Sequence, residues 1–150
     1  MTDQLQEALH IREAVVADSS VIVQLYLQGS GRSLSRERVD RHIASWPAAV
    51  AEFAGKVVGF AFCTSFAPDV VELANVFVEA GKRCNGVGSR LVREIERQSE
   101  GRFHSIILSN SMLHVGVPGK RSAADFYQRL GYLRIWSTGP TSVFARRLKG

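Results

Sequence analysis

The stretch VELANVFVEAGKRCNGVGSRLVREI, residues 71–95, decides the fold because its apolar periodicity changes in the middle. Residues 71–78 form an apolar run, rich in Val and broken only by Glu72 and Asn75, which predicts a buried strand. Residues 87–95 place apolar side chains at helical spacing. This change of period indicates a strand, a turn and a helix in direct succession.

The turn between these elements carries two glycines, Gly86 and Gly88, at the positive end of the predicted helix. Such a turn lets backbone N–H groups face a bound phosphate. Two common phosphate motifs do not fit it. A P-loop requires Lys-Ser/Thr directly after its last glycine, where the chain has Ser89 and Arg90. A dinucleotide fingerprint requires a third glycine where the chain has Leu91.

The spacing Arg-x-x-Gly-x-Gly at Arg83, Gly86 and Gly88, after a strand, resembles the acyl-CoA pyrophosphate loop of the GNAT N-acetyltransferases. The chain departs from the common form of that loop at Ala80, where the family often has proline, and at Cys84, where it often has glycine. The resemblance implies acetyl-CoA as the cosubstrate and no metal.

A second motif, SAADFYQRLGY, occupies residues 122–132. Ser122 followed by Asp125 has the pattern of a capping box, so the segment predicts a short helix. It resembles the second GNAT signature, A-x-x-F-Y-x-x-x-G-F/Y, at Ala123, Phe126, Tyr127, Gly131 and Tyr132. Together the two signatures imply cofactor contacts from Val76, Phe77, Val78, Arg83, Cys84, Asn85, Gly86, Val87, Gly88, Ser89, Ala123 and Phe126.

Two residues are candidates for proton transfer. The tyrosine of the second signature is commonly the general acid of the family, which assigns to Tyr127 the return of a proton to the CoA thiolate. A phenol with a pKa of about 10 can hydrogen-bond to the thiolate of a thiol with a pKa of about 8.5 and return a proton to it. Glu72 is a carboxylate within an apolar strand, which is costly unless it is paired or functional. Its place before Val78 matches the general base of the histone-acetylating branch, but an acid paired with an arginine fits the pattern equally.

The predicted fold is a mixed α/β domain over residues 1–150, with a central sheet of about six to seven strands and about four helices, as in the GNAT fold. The strands on either side of the glycine turn should be parallel, whereas the hairpin around Gly55 is antiparallel. Its alternation predicts Val58, Phe60 and Phe62 on one face. The resemblance further implies a bulge that separates the parallel strands and directs N–H groups near residues 76–78 to the acetyl carbonyl and the pantetheine.

Composition narrows the class of protein. Lys and Arg number 19 against 14 Asp and Glu, giving a net charge of +5. The basic residues are scattered, so a polyphosphate cofactor accounts for part of the charge and nucleic-acid binding is the weaker alternative. No apolar run approaches the roughly 20 residues of a membrane span. The two cysteines show neither disulfide nor metal spacing. We therefore expect a cytoplasmic protein that binds no membrane.

The predicted reaction is direct acetyl transfer from acetyl-CoA to the primary amine of a small molecule or peptide, in a ternary complex. The alternative is an acetyl-CoA-binding regulatory module without turnover. Tyr26 and residues 32–41 would border the acceptor site, although a solvated helix explains them as well. His114, in a long loop at 109–121, is a further candidate or a surface histidine without a role. Dimers are frequent in the family, so a homodimer is compatible with the resemblance.

Overall fold

The structure, a computed structural model, describes residues 8–82, 86–111 and 123–149 of the 150-residue chain. The described part contains seven strands and four α-helices. The strands are β1 (Leu9–Glu13), β2 (Ala48–Phe53), β3 (Lys56–Ala67), β4 (Val70–Val78), β5 (Ser105–Ser111), β6 (Leu133–Thr138) and β7 (Thr141–Arg147). The helices are α1 (Ser19–Ser30), α2 (Arg36–Ser45), α3 (Val87–Ser99) and α4 (Ala123–Arg129). None of these helices combines the length and the apolar character that crossing a membrane requires.

The strands form one mixed sheet in the order β1-β2-β3-β4-β5-β7-β6. Only β4 and β5 pair in parallel, and the other neighbours are antiparallel. The parallel pair flanks α3, as the strand, turn and helix pattern predicts. The expected architecture, antiparallel at first and parallel in the middle, is confirmed.

Helices cover both faces of the sheet. On one face, α1 and α2 pack Ile22 and Val39 against Phe60 and Phe62 of β3. On the other face, the apolar stripe of α3 is buried in the larger core cluster, with Leu91, Val92 and Ile95 at 0% exposure. The periodicity of residues 87–95 therefore predicted the buried side of α3 correctly.

The β2–β3 hairpin contains a bulge that changes which side chains of β3 share a face of the sheet. Its turn at Ala54 and Gly55 has φ values of 52° and 82°, the two left-handed residues of a type I′ turn. Further along, Ala51 pairs with Gly59 but Glu52 pairs with Val57, so Val58 is an extra residue on β3. This bulge turns the Val58 side chain into the cluster under α3, whereas Phe60 and Phe62 face α1 and α2. The prediction that the three share a face is wrong.

A buried carboxylate ties α3 to the end of the chain. Glu96, which is 7% exposed, accepts hydrogen bonds from the Tyr132 hydroxyl at 2.9 Å, from Arg93 at 2.7 Å and from Arg146 at 3.3 Å. Two guanidiniums and one hydroxyl thus offset the cost of burying the charge. Tyr132 in turn packs edge-on against Tyr127, with ring centroids 5.9 Å apart. The cluster therefore supports the helix that carries the candidate general acid.

Replacing Tyr132 with Phe is expected to lower the free energy of unfolding by about 1–3 kcal/mol, because the buried Glu96 oxygen loses its hydroxyl donor. The loss should depend on pH. Burial and the Glu96 carboxylate raise the pKa of Tyr132 above its ordinary value. The contribution of the hydroxyl to the free energy of unfolding is therefore complete below about pH 10, the pKa of tyrosine in the unfolded chain, and it falls as the pH rises above that value.

Urea denaturation of wild type and Tyr132→Phe at neutral pH, repeated at about pH 11, measures both effects. Tyr26→Phe is the matched control, because the Tyr26 hydroxyl bonds to no residue in the described part of the chain. Equal losses in the two variants, or a Tyr132 effect that grows with pH, would contradict the assignment.

Candidate active site

The parallel strands β4 and β5 separate beside the glycine turn. Their ladder has three pairs and ends at Glu72 and Ile107. Both strands continue beyond it, β4 to Val78 and β5 to Ser111. Because pairing stops while the strands run on, a cleft opens between their carboxyl-terminal halves. This is where ligands of parallel sheets bind most often.

A bulge on β4 accompanies the separation. Phe62 pairs with Asn75 and Cys63 pairs with Leu73, so Ala74 is the additional residue. The bulge that the family resemblance implies is therefore present. It places Asn75 on the same face of the sheet as Glu72, although three positions separate them, because their partners on β3 are Phe62 and Thr64.

The glycines of the turn meet two different requirements. Gly86 has a φ of 76° and directly precedes α3, and a Cβ built there would contact no heavy atom of the described residues within 4 Å. Its left-handed conformation favours glycine, and its Cα faces open space. A Cβ on Gly88 would lie 3.4 Å from the Phe126 ring. Gly88 thus lets the second motif approach the start of α3, so the two signatures, 38 positions apart, are neighbours.

The proposed cofactor residues differ in what they can offer. Val76 and Val78 pack against the core cluster under α3, and Val87 is 3% exposed, so their side chains face the protein interior. Phe77 packs on the opposite face, against the cluster under α1 and α2. These residues can therefore reach a cofactor mainly through the main chain. Ser89 is half-buried in the first turn of α3. The predicted contacts Arg83, Cys84, Asn85 and the Ala123 side chain lie outside the described residues, as does His114.

The Tyr127 side chain is packed among aromatic rings. Its ring centroid lies 5.0 Å from Phe126, 5.9 Å from Tyr132 and 6.2 Å from Phe144. Burial raises the pKa of Tyr127 to about 12. The phenol therefore stays protonated at neutral pH, which suits a proton donor and excludes it as a base there.

A pocket of about 540 Å³ adjoins Glu72 on the face covered by α1 and α2. Its lining comes from α1, α2, the connection between them, β3, β4 and Trp46: Tyr26, Leu34, Arg38, Arg41, His42, Ser45, Trp46, Phe62, Thr64, Glu72, Ala74 and Asn75. Of the residues predicted to border the acceptor site, Tyr26 and part of the segment 32–41 line this pocket. Arg38 and Arg41 line the pocket, whereas Arg32 and Arg36 do not.

Sequence reasoning missed His42. The residue is 8% exposed, packs against Phe62 with ring centroids 4.9 Å apart, and its Nδ1 lies 2.8 Å from the carbonyl oxygen of Cys63. Its position three residues after Val39 placed it on the buried side of α2. The local pattern did not show that Glu72, thirty positions away, lines the same pocket.

The Glu72 carboxylate is half-buried at this pocket, opposite Thr64 on β3. In the described part of the chain the carboxylate forms no salt bridge within 4.0 Å. The alternative explanation, a structural ion pair between Glu72 and an arginine, is therefore not supported by the described residues. The described part also contains no group of three His, Cys, Asp or Glu residues that could hold a metal ion. The candidate site thus combines a strand cleft, a helix N-terminus and a pocket with a carboxylate, and Tyr127 is its candidate proton donor.

The acetyltransferase (GNAT) domain family model matches residues 44–134, from the end of α2 into β6. No curated protein has significant similarity to the chain. Among solved structures, aminoglycoside 6′-acetyltransferase type Ii superposes with a TM-score of 0.78 at 22% identity, covering 94% of this chain and 98% of that chain. PaiA N-acetyltransferase from Thermoplasma acidophilum in complex with coenzyme A gives 0.72 at 13% identity, covering 93% and 98%. YncA, a putative acetyltransferase from Salmonella typhimurium with its cofactor acetyl-CoA, gives 0.72 at 18% identity, covering 95% of each.

Proposed function

The chain belongs to the GNAT acetyltransferase family, and on that premise we propose that residues 1–150 form one domain that transfers the acetyl group of acetyl-CoA to a primary amine. The observation that carries the proposal is the early end of the β4–β5 ladder at Glu72, which opens a cleft between the glycine turn and the pocket. A cofactor in that cleft would present its thioester between Tyr127 and the acceptor.

The residues around the cleft fit acetyl-CoA. The first N–H groups of the 13-residue helix α3 and its dipole favour the pyrophosphate, and Gly86 leaves space for it. The main chain of β4 beyond the Ala74 bulge is suited to the pantetheine and the acetyl carbonyl. Solved structures of the same fold contain coenzyme A or acetyl-CoA.

In this arrangement the amine attacks the thioester carbonyl directly while both substrates are bound. The amine nitrogen forms a bond to the carbonyl carbon, the carbon–sulfur bond breaks, and CoA leaves as a thiolate. Glu72 takes the proton of the amine, directly or through a water, and Tyr127 hydrogen-bonds to the departing sulfur. Because the pKa of Tyr127 is about 12, full proton transfer requires that the same dry surroundings also raise the basicity of the thiolate.

Incubation of the protein with acetyl-CoA and a panel of primary amines, monitored by release of free thiol, tests the proposal. Amine-dependent thiol release with the acetylated amine as product is the expected result. Tight acetyl-CoA binding without thiol release for any amine would instead identify a regulatory module without turnover.

Replacing Glu72 with Gln is expected to lower kcat/KM by about 10²-fold and to alter the limb of the pH profile that rises toward alkaline pH, because the base that takes the amine proton is gone. The measurement is kcat/KM against pH for wild type and variant. A rising limb that is unchanged in Glu72→Gln but lost in His42→Gln would assign the base to His42 instead.

A further inference from the structure

We propose that the acceptor is a small zwitterionic amine whose amino group lies against Glu72 and His42 while a carboxylate or phosphate on the same molecule is bound by Arg38 and Arg41. The inference rests on the proposed function and specifies its substrate class. It follows from the distribution of charge and hydrogen-bonding groups around the pocket.

One part of the pocket accepts hydrogen bonds. The Cys63 carbonyl can only accept, so Nδ1 of His42, at 2.8 Å, carries the proton and Nε2 of the neutral ring is an acceptor. Within the described residues no hydrogen bond to Nε2 is formed, and His42 lines the pocket, so Nε2 is a candidate acceptor for a ligand there. Together with Glu72 it offers two acceptors to an amino group.

The other part of the pocket is cationic. Arg38 and Arg41 are exposed, lie one turn apart on α2 and line the pocket. Within the described residues neither guanidinium forms a salt bridge, whereas those of Arg12, Arg93, Arg97 and Arg146 all do. Glu37 stands four residues before Arg41, where a helical pair commonly forms, and does not make one. Two guanidiniums are thus available for an anion.

The balance of charge disfavours polycationic acceptors. Two arginines face the pocket against the single carboxylate of Glu72, so a second ammonium group would meet net repulsion. A carboxylate or phosphate would instead pair with the planar guanidiniums. The volume of about 540 Å³ is that of a small-molecule site, and Tyr26, Trp46 and Phe62 supply apolar surface for the body of the ligand.

Matched pairs of amines that differ only in the anionic group test the proposal: phenylalanine against phenethylamine, 6-aminohexanoate against pentylamine, and aminoethyl phosphate against ethanolamine, with spermidine as the polycation. We expect kcat/KM for thiol release to favour the anionic member of at least one pair by about tenfold or more. The carboxylate and phosphate pairs then distinguish the two kinds of anion. Equal or better turnover of the member without the anionic group in every pair, or of spermidine, would overturn the proposal.

The double variant Arg38→Gln/Arg41→Gln assigns the preference to these side chains. Its ratio of kcat/KM between the amines with and without the anionic group should fall toward one. Arg36→Gln is the matched control, since Arg36 lies on the same helix outside the pocket lining. A ratio that persists in the double variant, or that falls equally in Arg36→Gln, contradicts the assignment. Amine-dependent turnover without any preference contradicts this inference alone, whereas no turnover across the panel contradicts the proposed function as well.

Discussion

The variant Tyr127→Phe is expected to lower kcat by about 10²-fold or more with little change in acetyl-CoA affinity. The phenol is the proton donor to the departing thiolate in the proposed mechanism, and phenylalanine keeps the ring packing against Phe126, Tyr132 and Phe144. Steady-state kinetics and calorimetric titration with acetyl-CoA measure the two quantities separately.

The raised pKa of Tyr127 also predicts how the loss of kcat depends on pH. Burial raises the pKa of Tyr127 to about 12, so the phenol is protonated throughout the neutral and mildly alkaline range. The defect of the variant should therefore be constant from about pH 7 to about pH 10. Tyr132→Phe is the control, because it removes a neighbouring hydroxyl that serves the buried Glu96 cluster. Wild-type kcat in Tyr127→Phe, or an equal loss in both variants, would end the assignment of Tyr127 as the general acid.

The variant Gly86→Val is expected to reduce acetyl-CoA affinity by at least about 10²-fold, corresponding to about 2.7 kcal/mol. A β-branched side chain at a φ of 76° strains the backbone at the start of α3 and fills the open space beside it. The N–H groups that would hold the pyrophosphate are thereby displaced and covered. Because a Cβ there meets no atom of the described residues within 4 Å, the fold should survive.

Gly101→Val separates strain from binding. Gly101 follows the other end of α3, has a φ of 79°, and a Cβ there also meets nothing within 4 Å. Both variants should lose a similar free energy of unfolding, about 1–2 kcal/mol, because both force a side chain into the left-handed region. Only Gly86→Val should lose affinity in a calorimetric titration. Undiminished affinity in Gly86→Val, or equal losses at both positions, would contradict the placement of the pyrophosphate.

The sequence was sufficient for the elements and their order around the glycine turn. The apolar run at residues 71–78 and the helical spacing at 87–95 are local properties, and they predicted β4 and α3 together with the buried side of α3. The two signatures also predicted that residues near Gly88 and Phe126 serve one cofactor, and the structure brings these residues into contact.

The alternation of apolar residues gave the wrong face of the sheet where one extra residue, a bulge, shifts the pairing between two strands. The bulge at Val58 reversed the face of that side chain, and the bulge at Ala74 put Glu72 and Asn75 on one face. A bulge depends on how two strands are paired, and a strand's own alternation carries no information about its neighbour's register.

The chain's own order of residues thus determined the strand, turn and helix at its centre, the left-handed glycine before α3 and the candidate acid Tyr127. Tertiary structure alone decided that His42, Arg38 and Arg41 share a pocket with Glu72, and that Nδ1 of His42 lies beside the Cys63 carbonyl. The reason is physical: periodicity and capping act within a few residues, whereas the composition of a pocket depends on helix packing and strand register between segments far apart in the chain.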